Sequence, residues 1–222
     1  MALWVKIFHY IDIGHFVWAH PVAEHQDRPR LQWWGTVVAN ALIGLLAWWR
    51  CSRFRSFDPL AFMALPLMII LFFGVRQQAM RLAVKSQGLE VRFRAWESGF
   101  PISIAIALVT GFLFPIPGGV YPASTNWSYR DLLPKLGIIS LSGVLPILAV
   151  TWGVWVLLRF DALSSDIVLW LNFAMQILKP LALFDVVMAF FPFVSFNGRR
   201  LWDWNRGAWA VLAVAAVVVF LI

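Results

Sequence analysis

The feature that most constrains this chain is the grouping of its apolar residues into stretches about as long as a bilayer is thick. At 1.5 Å of rise per residue, roughly 17 to 25 apolar residues cross a hydrocarbon core of about 30 Å. Such stretches fall at about 32–49, 58–75, 98–114, 136–158, 167–191 and 207–222. The chain is 61% hydrophobic and only 13% charged, whereas soluble domains run near 45–50% and 25%. The fold expected is an all-α integral membrane protein with about six transmembrane helices, an N-terminal interfacial amphipathic helix and one short interfacial strand. Residues 1–30 form the interfacial helix and linker in this reading, and 31–222 form a single polytopic membrane domain.

In the first segment Lys6, His9, Asp12 and His15 recur every three residues among Trp4, Phe8, Phe16 and Trp18. One drifting polar stripe among aromatics suits a helix lying in the interface, and Pro21 ends it. These charges interrupt the apolar run and no small-residue cleavage site follows, so a cleavable leader is not expected. His15, His20 and His25 are five apart, unlike the i, i+4 pairs that place two metal ligands on one helix face, and no cofactor is expected. Cys51 is the single cysteine, which excludes an intrachain disulfide and a multi-cysteine metal site.

Eighteen Lys and Arg against 11 Asp and Glu give a net charge of +7. The basic residues gather at the ends of the spans, where they meet lipid head groups, and nucleic acid is not an expected partner. Arg50, Arg53 and Arg55 follow one span while Arg76, Arg81, Lys85, Arg92 and Arg94 follow the next, so the charges do not choose an orientation. Fourteen Trp and 19 Phe exceed the needs of two aromatic belts. Membrane lipids and other integral membrane subunits are the partners this surface suits.

Polar residues within spans are costly and mark contacts or sites. The fifth span carries Asn172, Gln176, Lys179 and Asp185, a candidate intramembrane polar cluster, with Pro180 loosening the backbone between the two charges. Lys179 and Asp185 are six residues apart, about 240° around a helix, so they do not pair with each other. The blander alternative is that Lys179 snorkels to an interface or pairs with a neighbouring helix. Ser103, Ser140 and Ser142 lack a His or Lys at a usable offset and read as small residues at helix contacts. Gly118-Gly119 reads as a bare turn, and Asn126-Trp127-Ser128 matches a glycosylation sequon.

Leu89 to Trp96 alternates apolar and charged residues, a strand pattern between Gly88 and the next long span. The order of second span, polar helical extension, Gly88 and this strand, third span and Pro-Gly-rich loop resembles the site-2 protease family of intramembrane zinc metalloproteases, over roughly residues 30 to 210 with a core at about 58–205. Counting back from Gly88, the family's H-E-x-x-H helix falls on Arg76-Gln77-Gln78-Ala79-Met80. A later glycine landmark falls on Gly143, and a Pro-rich segment ending in Leu-Asp-Gly resembles Pro192 to Gly198, followed by Trp204-Asn205. Asn197 stands where the family's Asp would be the third zinc ligand.

The resemblance implies that Arg76, Gln77, Met80 and Asn197 are degenerate metal and catalytic positions. A fixed cation, a non-basic amide, a soft thioether and a neutral amide replace two histidines, the general base and the carboxylate. The expectation is a non-catalytic pseudoprotease without zinc, in a prokaryotic plasma membrane, that binds or scaffolds other membrane proteins. In it Arg76, Gln77 and Asn197, with Asp185, form a hydrogen-bonded or ionic cluster. The alternative is an accessory subunit of a larger redox or transport complex. A small transporter using Lys179 and Asp185 ranks last, because the two halves show no inverted repeat.

Overall fold

A computed structural model describes residues 29–52, 59–95, 99–123, 128–160, 163–189 and 196–222. The expected N-terminal helix with all four histidines, the side chain of Cys51, Asn126 and Trp127 of the sequon, and residues 192–195 of the Pro-rich segment lie outside them. Among the described residues there are seven helices: α1 (Pro29–Ser52), α2 (Pro59–Ser86), α3 (Gly99–Thr110), α4 (Tyr129–Leu157), α5 (Ser165–Val187), α6 (Asn197–Trp204) and α7 (Arg206–Leu221). Two strands, β1 (Val91–Arg94) and β2 (Gly119–Pro122), pair antiparallel with Phe93 opposite Val120.

Three helices are long and apolar enough to cross a membrane: α2 from Met63, α4 and α5. Of the six expected spans, three are candidates by length and composition among the described residues. α3 has 12 residues and α7 has 16, both apolar but short. α3 stops early because Gly111, at φ 72°, turns the chain out of the helix. α1 has 24 residues, but Asn40, Arg50 and four Trp dilute its apolar character. Leu67, Leu71, Val109, Val211 and Val214 lie exposed on these helices, as side chains facing hydrocarbon would.

α4 is the central helix and packs against α2, α5, α6 and α7. Its glycines set the closeness of approach: a Cβ on Gly137 would lie 2.3 Å from Trp204, and one on Gly143 would lie 2.8 Å from Met80. α2 ends in a Schellman motif. Gly88, at φ 61°, donates its N–H to Lys85 O and Leu89 donates to Val84 O, while Leu89 packs in the small cluster that holds Val84. That turn launches β1.

The expectation of a single strand and of a bare turn at Gly118-Gly119 is also corrected, since Gly119 opens β2 and Ala123 N–H continues the ladder to Glu90 O. Between α3 and β2 the chain runs irregular and buried, with Leu113, Phe114 and Ile116 in the interior. Irregular backbone at this depth needs partners from the protein itself. Asn40, fully buried on α1, supplies two: its amide donates to Ile116 O and its carbonyl accepts from Ile116 N–H, each at 2.8 Å. Ser103 on α3 donates to Phe114 O.

α6 was not expected as a helix. Asn205 closes it by donating its N–H to Leu201 O, and the same side chain caps α7 by accepting from Ala208 N–H at 3.0 Å. At the other end of α6, a Cβ on Gly198 would lie 2.1 Å from Val186 O, so the helix start is pressed onto the backbone at the end of α5. Gly198→Ala should therefore lower stability by about 1–3 kcal/mol through overpacking against backbone that cannot give way. Gly35→Ala, where nothing lies within 4 Å, should be neutral or gain about 0.5–1 kcal/mol; thermal unfolding of both variants in one detergent checks the contrast.

Candidate functional site: the Arg76–Asp185–Asn197 centre

Arg76 sits ten residues before the end of α2, only 1% exposed. Its guanidinium meets Asp185, near the end of α5, in a two-pronged pair: Nε donates to Oδ2 at 2.8 Å and Nη2 to Oδ1 at 2.9 Å. Such parallel bonds are the strong, geometrically specific form of an ion pair. Asn197 completes the carboxylate's shell, its backbone N–H donating to Oδ1 at 3.1 Å and its Nδ2 to Oδ2 at 2.8 Å. Both Asp185 oxygens thus accept two bonds each. Because Asn197 is the first residue of α6, its N–H is one of the donors a helix leaves free at its start, and the carboxylate also suits the positive end of the helix dipole.

Gln77 and Met80 on α2 are both buried, at 3% and 0% exposure. Arg76 and Met80 are four apart and share a face of α2. Gly143 on α4 faces both Met80 and Asn197: a Cβ there would lie 2.9 Å from Met80 Sδ and 3.0 Å from Asn197 Nδ2. Gln77 Oε1 has no hydrogen-bond partner among the described residues. Arg76 Nη1 reaches back to Pro117 O in the buried irregular segment, a long contact at 3.5 Å.

Arg76, Met80, Asn197 and Asp185 therefore converge, while Gln77, one position on from Arg76, projects from another side of α2. The structure separates Asp185 from the other three residues of the expected cluster on α5. Asn172 bonds its own helix at Val168 O, Gln176 is exposed, and Lys179 turns toward Phe220 O on α7. The reason is angular: Asn172, Gln176 and Lys179 follow i, i+4, i+7 along one face, while Asp185 points to another. The expected cluster of four is thus two separate features.

Arg200 joins the buried polar residues without having been singled out by any sequence pattern. On α6 it is 2% exposed, stacked over the Tyr121 ring at 4.7 Å, with Nε and Nη2 lacking partners among the described residues. Only its place in a helix that is itself hard to read could have signalled it.

The chain is similar to a candidate zinc metalloprotease. That protein, from Methanocaldococcus jannaschii, is 25% identical over 183 residues, covering 81% of this chain and 90% of its own length. No family model and no solved structure matches.

Zinc suits histidine, thiolate and carboxylate ligands. Among the described residues no group of three His, Cys, Asp or Glu converges. The one carboxylate at this centre, Asp185, is already saturated by Arg76 and Asn197. A dication here would face a guanidinium, an amide and a thioether, so the donor set does not fit zinc.

Taking two charges out of water costs several kcal/mol each, and their attraction returns that cost only with good geometry and saturated bonding. The pair is thus worth little against an apolar isostere but a great deal against a half-broken version. Asp185→Leu, which leaves Arg76 buried and uncompensated, should cost about 3–5 kcal/mol, whereas Arg76→Met with Asp185→Leu should recover most of that loss. A double-mutant cycle on detergent unfolding checks this; equal losses in the single and double variants would remove the pair from its organising role.

Proposed function

We propose that this chain is a non-catalytic relative of the site-2 proteases, in which an ionic centre stands where the family has zinc and the bundle serves to bind or scaffold other integral membrane proteins. The observation that carries this reading is the occupation of Asp185 by the Arg76 guanidinium and by Asn197. In hydrolysis a zinc site must polarise water and a neighbouring base must take its proton. Arg76, Gln77, Met80 and Asn197 offer neither a metal ligand set nor a base.

The similarity to a protein named as a candidate zinc metalloprotease, extending over most of both chains, supports the family side of the reading. The chemistry of the four residues supports the non-catalytic side. The protein is read as multi-pass in a prokaryotic plasma membrane, with α1, α3 and α7 crossing alongside α2, α4 and α5; tilt and local thinning accommodate helices of unequal length.

Two measurements test the proposal together. Metal analysis of protein purified without chelator should find zinc far below one per chain, and addition of zinc should leave its unfolding temperature unchanged. Cross-linking in the native membrane, followed by purification, should return specific integral membrane proteins. Stoichiometric zinc, or chelator-sensitive cleavage of a membrane-spanning substrate by the pure protein, would overturn the non-catalytic reading.

A further inference from the structure

On the far side of α5 from the ionic centre lies a cavity of about 420 Å³. Its walls come from α1, α2, the turn after α3, α5 and α7, and include Trp48, Leu65, Phe112, Met175 and Phe220. Among the described residues Lys179 is the only charged one lining it, with Asn172 and Gln176 as its polar side chains. None of the residues of the Arg76 centre takes part.

Lys179 is eight residues from the end of α5, about 12 Å along the axis at helical rise. A charge at that depth within a candidate span calls for a partner. Its bond to Phe220 O is long, at 3.4 Å, and among the described residues no carboxylate pairs with it. Beside it Pro180 has no N–H to give, which leaves the Gln176 carbonyl without its helical donor on the cavity wall. The wall therefore combines one uncompensated cation with an aromatic and aliphatic lining.

We propose that this cavity binds a fatty-acid anion, with its carboxylate on Lys179 and its alkyl chain along Leu65, Phe112 and Met175. Charge complementarity selects the acid head. The volume falls at the low end of small-molecule pockets, roughly 300–1,000 Å³, and suits one alkyl chain better than the two of a phospholipid. The concave shape, walled from five segments of chain, suits a small amphiphile rather than the side of a partner helix. This inference does not depend on whether the Arg76 centre ever held zinc.

The test uses the full-length protein in lipid nanodiscs and a photoreactive, diazirine-bearing palmitic acid, with labelled peptides located by mass spectrometry. Labelling should map to the Trp48, Phe112 or Met175 peptides, be competed by palmitic acid and not by its methyl ester, and fall at least fivefold in Lys179→Met. Lys179→Arg, which keeps the charge, should retain it, and the unfolding temperature of Lys179→Met should show that the fold survives. Equal labelling of wild type and Lys179→Met, or equal competition by the methyl ester, would overturn the proposal. So would a co-purifying partner whose acidic residue cross-links to position 179.

Discussion

The geometry of this protein depends on the need to keep Arg76 and Asp185 together. Each alone, buried in a medium far less polar than water, would be costlier than any single contact nearby could offset. The pair joins residues 109 positions apart and so fixes the height of α2 against α5. Asn197 extends the constraint to α6, since its amide reaches Asp185 only when the start of that helix lies against the end of α5. Two glycines make the approach possible. Gly143 admits Met80 and Asn197 to the face of α4, and Gly198 lets α6 lie almost on the Val186 carbonyl. Trp209 fastens α7 to the same place, donating its indole N–H to Val186 O at 2.9 Å.

A second constraint comes from backbone rather than charge. The irregular stretch between α3 and β2 crosses the interior without a helix to satisfy its peptide groups, and Asn40 and Ser103 answer for it. Asn40 holds both polar groups of Ile116, much as a neighbouring strand would. With Ile116 fixed, the next carbonyl, that of Pro117, faces Arg76, and β2 emerges in register with β1. The two constraints are therefore coupled through one residue of separation, which is why the small sheet and the ionic centre occupy neighbouring positions in the fold.

Much of the helical architecture was legible because apolar run length reports on bilayer thickness directly: α5 lies close to its expected range, while α2 runs on through its polar extension and α4 starts earlier, at Tyr129. Gly88 was legible as a helix terminus for the equally local reason that only glycine takes its φ at no cost. β2 was not, because Pro115, Pro117, Gly118 and Gly119 make a local signal of turn that the pairing with β1 overrides. α6 is only eight residues long and follows a Pro-rich run, so its periodicity has little room to show. Arg76, Gln77, Met80 and Asn197 could be singled out through spacing against framework residues. Asp185 could be grouped with Arg76 and Asn197 only through the resemblance; that it turns away from the Lys179 face is a fact of helix rotation that spacing against Lys179 hints at but does not assign to a partner.

The chemistry of the centre also bears on what kind of organiser it can be. A zinc ion held by side chains can leave, be exchanged or be stripped by a chelator, and its binding depends on deprotonated ligands. A guanidinium carried on α2 cannot dissociate from the chain. On the proposed reading, replacing the metal by Arg76 turns a reactive and removable centre into a permanent tie between α2, α5 and α6. The tie is also directional. A metal accepts ligands from around a sphere, whereas the planar fork of Arg76 accepts one carboxylate in one plane, and Asn197 can then bond that carboxylate only from its remaining side. A bundle held this way gives up the open coordination position that hydrolysis needs. What it gains is a fixed relation among three helices, which is the property a surface for binding other membrane proteins requires.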